Sequence, residues 1–299
     1  MDTSFTSVDV LCVGHASYDL IFSVEQHPGE DEKIFSQDLM TCGGGPAANA
    51  AVTVARLGQK AAFAGYLGHD IYGNLHLQEL IDEGVNTRLV VRGASPTPLS
   101  TILVKPDGKR ALINYKGNTQ PLPANAVDFS ILKPKVILFD GHEPDISVPL
   151  ADYAKQQGIP TILDAGSLHR GTLALMSKVD YLACSEKFAL QLTGDIAATL
   201  TQLSALAPNV IITLGKIGLV WQRGSDRGGL PAFDVNAIDT TGAGDAFHGG
   251  LAAAIAANMS WYNALEYASA TAAFCCTKIG ARPGLPFQQD CEAILAQSC

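Results

Sequence analysis

DTTGAGDAFHGG, residues 239–250, decides how the rest of the chain is read. Glycines stand at Gly242, Gly244 and Gly249, and a carboxylate, Asp245, sits among them. The run AFHGGLAAAIAA is rich in helix formers, with Asn258 as a stop signal. The stretch therefore predicts a tight glycine turn opening a helix, with Asp245 in the first turn. Backbone N–H groups at a helix start have no internal partners and lie at the positive end of the dipole. Glycine lets an anion approach such groups closely. Asp245 is then either a cap for this helix or a base held beside an anion hole.

The totals narrow the class. A chain of 299 residues, 47% hydrophobic and 16% charged, can bury a large globular core. A net charge of -9 argues against nucleic acid or an anionic membrane as the main partner. No run is apolar for long enough to span a bilayer. The start, MDTSFTSVDVLCVG, lacks the basic segment of a signal peptide, so a cytoplasmic protein is expected. Cys12, Cys42, Cys184, Cys275, Cys276, Cys291 and Cys299 form no C-x-x-C pair. An odd, unpaired set argues against a disulfide framework or a zinc site and predicts buried free thiols.

Taken in order, VDVLCV (8–13) predicts a buried strand ended by Gly14. Asp19 is placed just past it, where open α/β sheets bind ligands, or else caps a turn. CGGGPAANAAVTVARLG (42–58) sets Gly43, Gly44 and Gly45 before Pro46, a residue suited to the first helical position. Asn49 falls in the early turns of that helix, which ends near Gly58. This second glycine-rich helix start either meets a polar ligand or allows close helix–sheet packing. Neither stretch has the spacing of a P-loop or of a dinucleotide fingerprint.

The runs LVVRG, LSTILVKP and RALINY, with PDGK at 106–109, predict a hairpin and a small sheet standing off the main domain. Together with the segment after Asp19 it forms a lid, from about 16–41 and 97–117, within one domain over 1–299. Asn114 and Tyr115 lie at its base. Beyond residue 136, VILFD, PTILD, DYLACS and NVIITLG alternate with helical segments, and GLVWQR and GLPAFDV read as an antiparallel pair. That alternation implies a doubly wound, mainly parallel α/β sheet with helices on both faces.

Asp19, Asp140, Glu143, Asp164 and Asp245 all follow strand-like runs or helix starts. In an open α/β sheet such positions share one edge, although caps account for some of them. His15, His69, His142 and His248 are not spaced as metal ligands. No G-x-S-x-G elbow is present, so nucleophilic hydrolysis is unsupported. A helix-start anion hole, an adjacent base and a lidded pocket suit phosphoryl transfer to a hydroxyl, where positioning and charge stabilisation dominate.

DTTGAGDAFHGG resembles the C-terminal motif of the PfkB/ribokinase family of carbohydrate kinases, and GGGPAANAAVTVARLG (43–58) resembles its N-terminal motif. The two agree in order and separation. The resemblance implies a ribokinase-like fold with a small β-sheet lid, and an ATP- and Mg2+-dependent kinase acting on a sugar. It places the base at Asp245 and the anion hole at Gly242, Ala243 and Gly244. Sugar contacts fall on Asp19, Gly44, Gly45 and Asn49, with Asn114 a further candidate. His142, with Asp140 and Glu143, would face the far end of the sugar and meet an anionic or hydroxyl group there. Nucleotide contacts fall near Thr213, Gly215 and Gly218.

TKIGARPGLP (277–286), which contains Gly280, resembles the turn that closes over nucleotide. That turn borders a monovalent cation, K+, with the backbone around Asp239 and Thr241. One departure is visible: the family's N-x-x-E motif is replaced by Ser185 and Phe188, with Glu186 between them as a stand-in acting through water. CSEKFALQLTG, INY and CTKIGARPG look most like the branch holding ketohexokinase and sulfofructose kinase, which favours a ketose such as fructose or a derivative. A nucleoside kinase of the same fold and a non-catalytic sugar or nucleotide sensor are the rival readings. The lid strands present exposed edges, and pairing of two lids would make a homodimer.

Overall fold

The computed structural model describes residues 6–298; the first five residues of the start segment and Cys299 lie outside the described residues. The chain begins with β1 (Thr6–Val13), crosses to β2 (Ser17–Ser23) and β3 (Asp38–Gly44), and enters α1 (Pro46–Arg56). Then come β4 (Ala61–Gly68), α2 (Ile71–Asp82), β5 (Asn86–Gly93) and the hairpin β6 (Leu99–Val104) and β7 (Arg110–Tyr115). The alternation follows as β8 (Leu132–Phe139), α3 (Pro144–Gln157), β9 (Thr161–Ala165), α4 (Arg170–Leu175), β10 (Tyr181–Ser185), α5 (Glu186–Thr193), α6 (Ile196–Ser204) and β11 (Asn209–Thr213). A second hairpin, β12 (Leu219–Arg223) and β13 (Asp226–Leu230), precedes α7 (Ala243–Ala256), α8 (Trp261–Cys275), α9 (Ala281–Gly284) and α10 (Gln288–Leu295).

Among the described residues the larger sheet runs β13-β12-β11-β10-β9-β8-β1-β4-β5. It is parallel from β11 to β5, and β12 and β13 are added antiparallel. The central strands read as continuous apolar runs because both faces are covered. Val10 and Cys12 of β1 join one core with α1, α7 and α8, whereas Val8, Leu11 and Val13 join the opposite core with α3, α5 and α6. This is the expected doubly wound architecture.

The smaller sheet runs β3-β2-β6-β7. Two expectations shift here. LVVRG lies in β5 at the edge of the larger sheet, not in the small one. Asp19 is not in a loop but inside β2, opposite Cys42 of β3 and Ser100 of β6. Asp19 shares its strand face with the buried Ile21, so the aspartate is one inward position of a strand. The late antiparallel pair is also displaced: β13 is DRGGL, with Gly224 at φ 59 in the turn, and most of GLPAFDV follows the strand.

Candidate active site

α7 begins where the glycines require. Gly242, at φ 78, is its N-cap, and a Cβ there would lie 2.5 Å from that of Ala281. Asp245 is in the first turn but makes no capping hydrogen bond. Its Oδ2 instead accepts from Asn49 Nδ2 at 2.7 Å, which joins the early turns of α1 and α7. The two glycine-led helix starts, 196 residues apart, therefore meet. Burial first, and then the neighbouring Asp164, push the Asp245 carboxyl up to about 7.

Behind Asn49 lies a residue that pattern reading missed. Arg282, 2% exposed, donates from Nε (3.3 Å) and Nη2 (3.2 Å) to Asn49 Oδ1. With that oxygen committed as acceptor, the Asn49 amide must present its N–H group to Asp245. Arg282 Nη1 also reaches Glu79 Oε1 at 3.1 Å, and Glu79 Oε2 accepts from the Gly43 N–H at 2.6 Å. One buried guanidinium thus ties α9 to α1, α2 and β3. The visible signal was a single arginine inside a turn named for its glycines.

Asp19 accepts from Ser17 Oγ at 3.0 Å and lies against Gly44, where an added Cβ would come within 2.3 Å of the carboxylate. Gly45, at φ 94, caps α1 and packs on the backbone of His15 and Ala16. The free end of α1 is partly taken: Asp140 Oδ2 accepts from Ala47 N–H (3.2 Å) and His15 N–H (2.7 Å), and Oδ1 accepts from His142 N–H (2.8 Å). Asp140 is therefore a strut between three chain segments. Glu143 is likewise occupied, its Oε2 accepting from Leu122 N–H at 2.5 Å, and burial pushes its carboxyl up to about 7.

A cavity of about 220 Å³ runs along the carboxyl edge of the larger sheet, with His142, Asp164, Ser185, Thr213, Gly244 and Asp245 among its walls. Asp164, buried at the end of β9, faces His248 at 3.2 Å, and burial pushes it up to about 8. Glu186 does not line this cavity; it is exposed at the start of α5. Ser185 Oγ caps α5 by accepting from Phe188 N–H at 3.1 Å, and Phe188 is buried in the core. A carboxylate that shares the cavity wall with Ser185 is Asp164. Asp164, Ser185 and Thr213 present oxygen donors, the chemistry that suits Mg2+ carried by phosphates.

Thr213 ends β11, and Gly215 begins the short turn to β12 with open space where a Cβ would be. Gly218, at φ 115, abuts the backbone of residues 230–232. Leu230, Pro231, Ala232 and Phe233, with Glu266 and Ser269 of α8, enclose a second cavity of about 360 Å³. Sequence patterning gave no sign of it, because its wall is irregular backbone facing a helix.

The smaller sheet and the glycine loop touch directly. Cys42, Asp19, Ser100 and Asn114 form one cross-strand row, so their side chains share a face. Two residues along that face from Asn114 come Leu112 and then Arg110, whose Nη1 reaches Asp239 Oδ1 at 3.2 Å and also Thr241 Oγ1. Asn114 is exposed on the edge strand, in register with the buried Asp19. Asp239 Oδ1 also accepts from Thr241 N–H (2.9 Å) and Thr241 Oγ1 (2.7 Å), and Oδ2 accepts from Gly280 N–H (2.8 Å). Both Asp239 carboxylate oxygens thus have donors, and the Arg110 guanidinium brings a positive charge beside them. Gly280, at φ 82, closes this buried turn against Ile21 and Met40 of the smaller sheet.

Comparison with known proteins adds four matches. A family model described as pfkB family carbohydrate kinase matches residues 8–288. Ribokinase of Bacillus subtilis is 29% identical over 293 residues, covering 96% of this chain and 99% of the relative. Among solved structures, ribokinase from Thermotoga maritima superposes with a TM-score of 0.87 at 25% identity, covering 97% and 99% of the two chains. Arabidopsis thaliana ribokinase complexed with ribose and ATP gives 0.83 at 25% identity, covering 97% and 99%.

Proposed function

The chain belongs to the pfkB family of carbohydrate kinases, and from that premise we propose that it transfers the γ-phosphate of ATP to a sugar hydroxyl held at Asp245. The observation that carries this reading is the meeting of the two glycine-led helix starts through the Asn49–Asp245 hydrogen bond. The sugar lies between Asp19, Gly44 and Asn49 on one side and Asp245 on the other. Asp245 takes the hydroxyl proton, and the N–H groups of Gly242, Ala243 and Gly244 stabilise the charge on the moving phosphoryl. The triphosphate extends past Thr213 and Gly215, and the cavity beyond Gly218 receives the base.

Magnesium, when bound with the nucleotide, supplies charge neutralisation on the phosphates. Asp164 and Ser185 are the groups that would hold it, with Mg2+ keeping several waters. The β2-β3-β6-β7 sheet acts as a lid that excludes water from the reacting phosphate. Its outer face exposes Leu39, Ile113 and Tyr115, and pairing with a second lid would cover them. A ketose such as fructose, or a derivative of one, is the favoured acceptor, with ribose the direct competitor on the names of the relatives.

The test is ADP release from Mg-ATP across ketoses, aldoses and nucleosides. Release with a sugar and none with nucleosides is expected. Binding of ATP and sugar without ADP release would instead favour the sensor. Because Asp245 is pushed up to about 7 and acts only as the carboxylate, kcat/KM should fall about tenfold per pH unit below that point. A profile flat to pH 5 would assign the proton to another group.

Gly244→Ala isolates the phosphoryl space. An added Cβ there meets no protein atom within 4 Å, so the fold should tolerate it, yet it enters the cavity beside Asp245. Turnover should drop at least a hundredfold with the melting temperature unchanged. Full activity in this variant would remove Gly244 from the anion hole.

A further inference from the structure

His248 follows Asp245 by three residues in α7 and is buried, 4% exposed. Its Nδ1 lies 2.6 Å from the Gly244 carbonyl oxygen and 3.2 Å from Asp164 Oδ2. Its Nε2 is 3.3 Å from the Ala183 carbonyl of β10, two residues before Ser185. The ring therefore sits where the first turn of α7 meets the carboxyl ends of β9 and β10.

Distance decides which nitrogen carries a proton here. A bare nitrogen 2.6 Å from a carbonyl oxygen would set lone pair against lone pair, so Nδ1 carries the N–H and donates it to Gly244. Asp164 Oδ2 lies beside the same nitrogen. The Gly244 carbonyl belongs to the peptide whose N–H is that of Asp245, one of the free N–H groups of the first turn. A donor on the carbonyl polarises that peptide and strengthens its N–H toward an anion.

Resting on the sugar-kinase reading above, we propose that His248 is a positioning residue for phosphoryl transfer. Through one N–H it fixes both the Gly244–Asp245 peptide that meets the moving phosphoryl and the Asp164 carboxylate on the cavity wall. That N–H is spent on the protein, so His248 acts through these two groups. Without it, the Gly244 oxygen loses a donor, and the carboxylate that would hold Mg2+ is free to turn.

The experiment compares three substitutions. Asparagine places an amide N–H near the position of Nδ1, glutamine near that of Nε2, and phenylalanine fills the space of the ring with no donor. His248→Phe should lower kcat about tenfold with KM for sugar little changed, and should weaken ATP binding by calorimetry about tenfold in Mg2+ but not in EDTA. His248→Gln should behave in the same way. His248→Asn should recover most of both losses, although it leaves a larger void and melts at a lower temperature. Parent-like kcat and Mg2+-dependent affinity in His248→Phe would overturn the proposal, as would losses that track melting temperature across the three variants. If the parent releases no ADP with any sugar, the kinase reading falls, and the Mg2+-dependent ATP affinities of the three variants still decide whether His248 positions Asp164.

Discussion

Asp245→Asn should lower kcat by about a hundredfold to ten-thousandfold, the range expected when a positioned general base is removed. Asparagine keeps the shape and still meets Asn49, so ATP and sugar affinities should change little. The variant should also be no less stable than the parent, and the sign follows from linkage. The Asp245 carboxyl is raised from the ordinary 3.8 to about 7 in the folded chain, which therefore holds its proton more tightly than the unfolded chain does. Its contribution to stability is present at low pH and is lost as pH rises through about 7. Above that point the folded state carries a buried charge that asparagine lacks. Thermal unfolding at pH 8, read beside single-turnover kinetics, checks both halves. Near-parent turnover would end the assignment of Asp245 as base, and a large drop in melting temperature would make it a structural residue.

Arg282→Met should cost about 3 kcal/mol, the low end of the range for breaking a buried ion pair, because Glu79 keeps some contact with solvent. The loss has two parts. Glu79 and His76 are left beside an apolar side chain, and Asn49 Oδ1 loses both of its donors. The second part reaches function. Without the guanidinium the Asn49 amide is free to turn, and the hydrogen bond to Asp245 is no longer enforced. The Michaelis constant for sugar should rise, and the acid limb of the pH profile should move. Arg282→Lys keeps the charge but loses the two-pronged contact, so it should restore more stability than activity. A variant that unfolds at the parent's denaturant midpoint, with an unmoved pH profile, would show that Arg282 only fills space.

What was legible in the sequence was whatever glycine announces. Gly242 and Gly45 sit at positive φ at the starts of α7 and α1, where side chains would collide with Ala281 and His15, and both turns were readable for that reason. The alternation of apolar runs gave the sheet. Side chains that act across the fold were not readable. Arg282 meets Asn49 from 233 residues away, and Arg110 meets Asp239 from 129 away, so no local spacing signals either contact. Asp19 was misplaced because a polar residue inside a short strand looks like a strand end. Asp164 was visible as a carboxylate after a strand, but its place opposite His248 depends on how α7 packs on the sheet.

The cysteines follow a separate logic. Cys12, Cys42, Cys184, Cys275 and Cys291 are buried and Cys276 is half-buried, none in a disulfide. Burial pushes the thiols of Cys42 and Cys291 up to about 12 and those of Cys12, Cys184 and Cys275 higher still. Thiolates are the reactive form, so these sulfurs are chemically silent while the chain stays folded. Alkylation and oxidation then become readings of time spent open. A brief local opening would be recorded as a covalent mark on whichever cysteine it uncovered, so the protein carries its own ledger of unfolding.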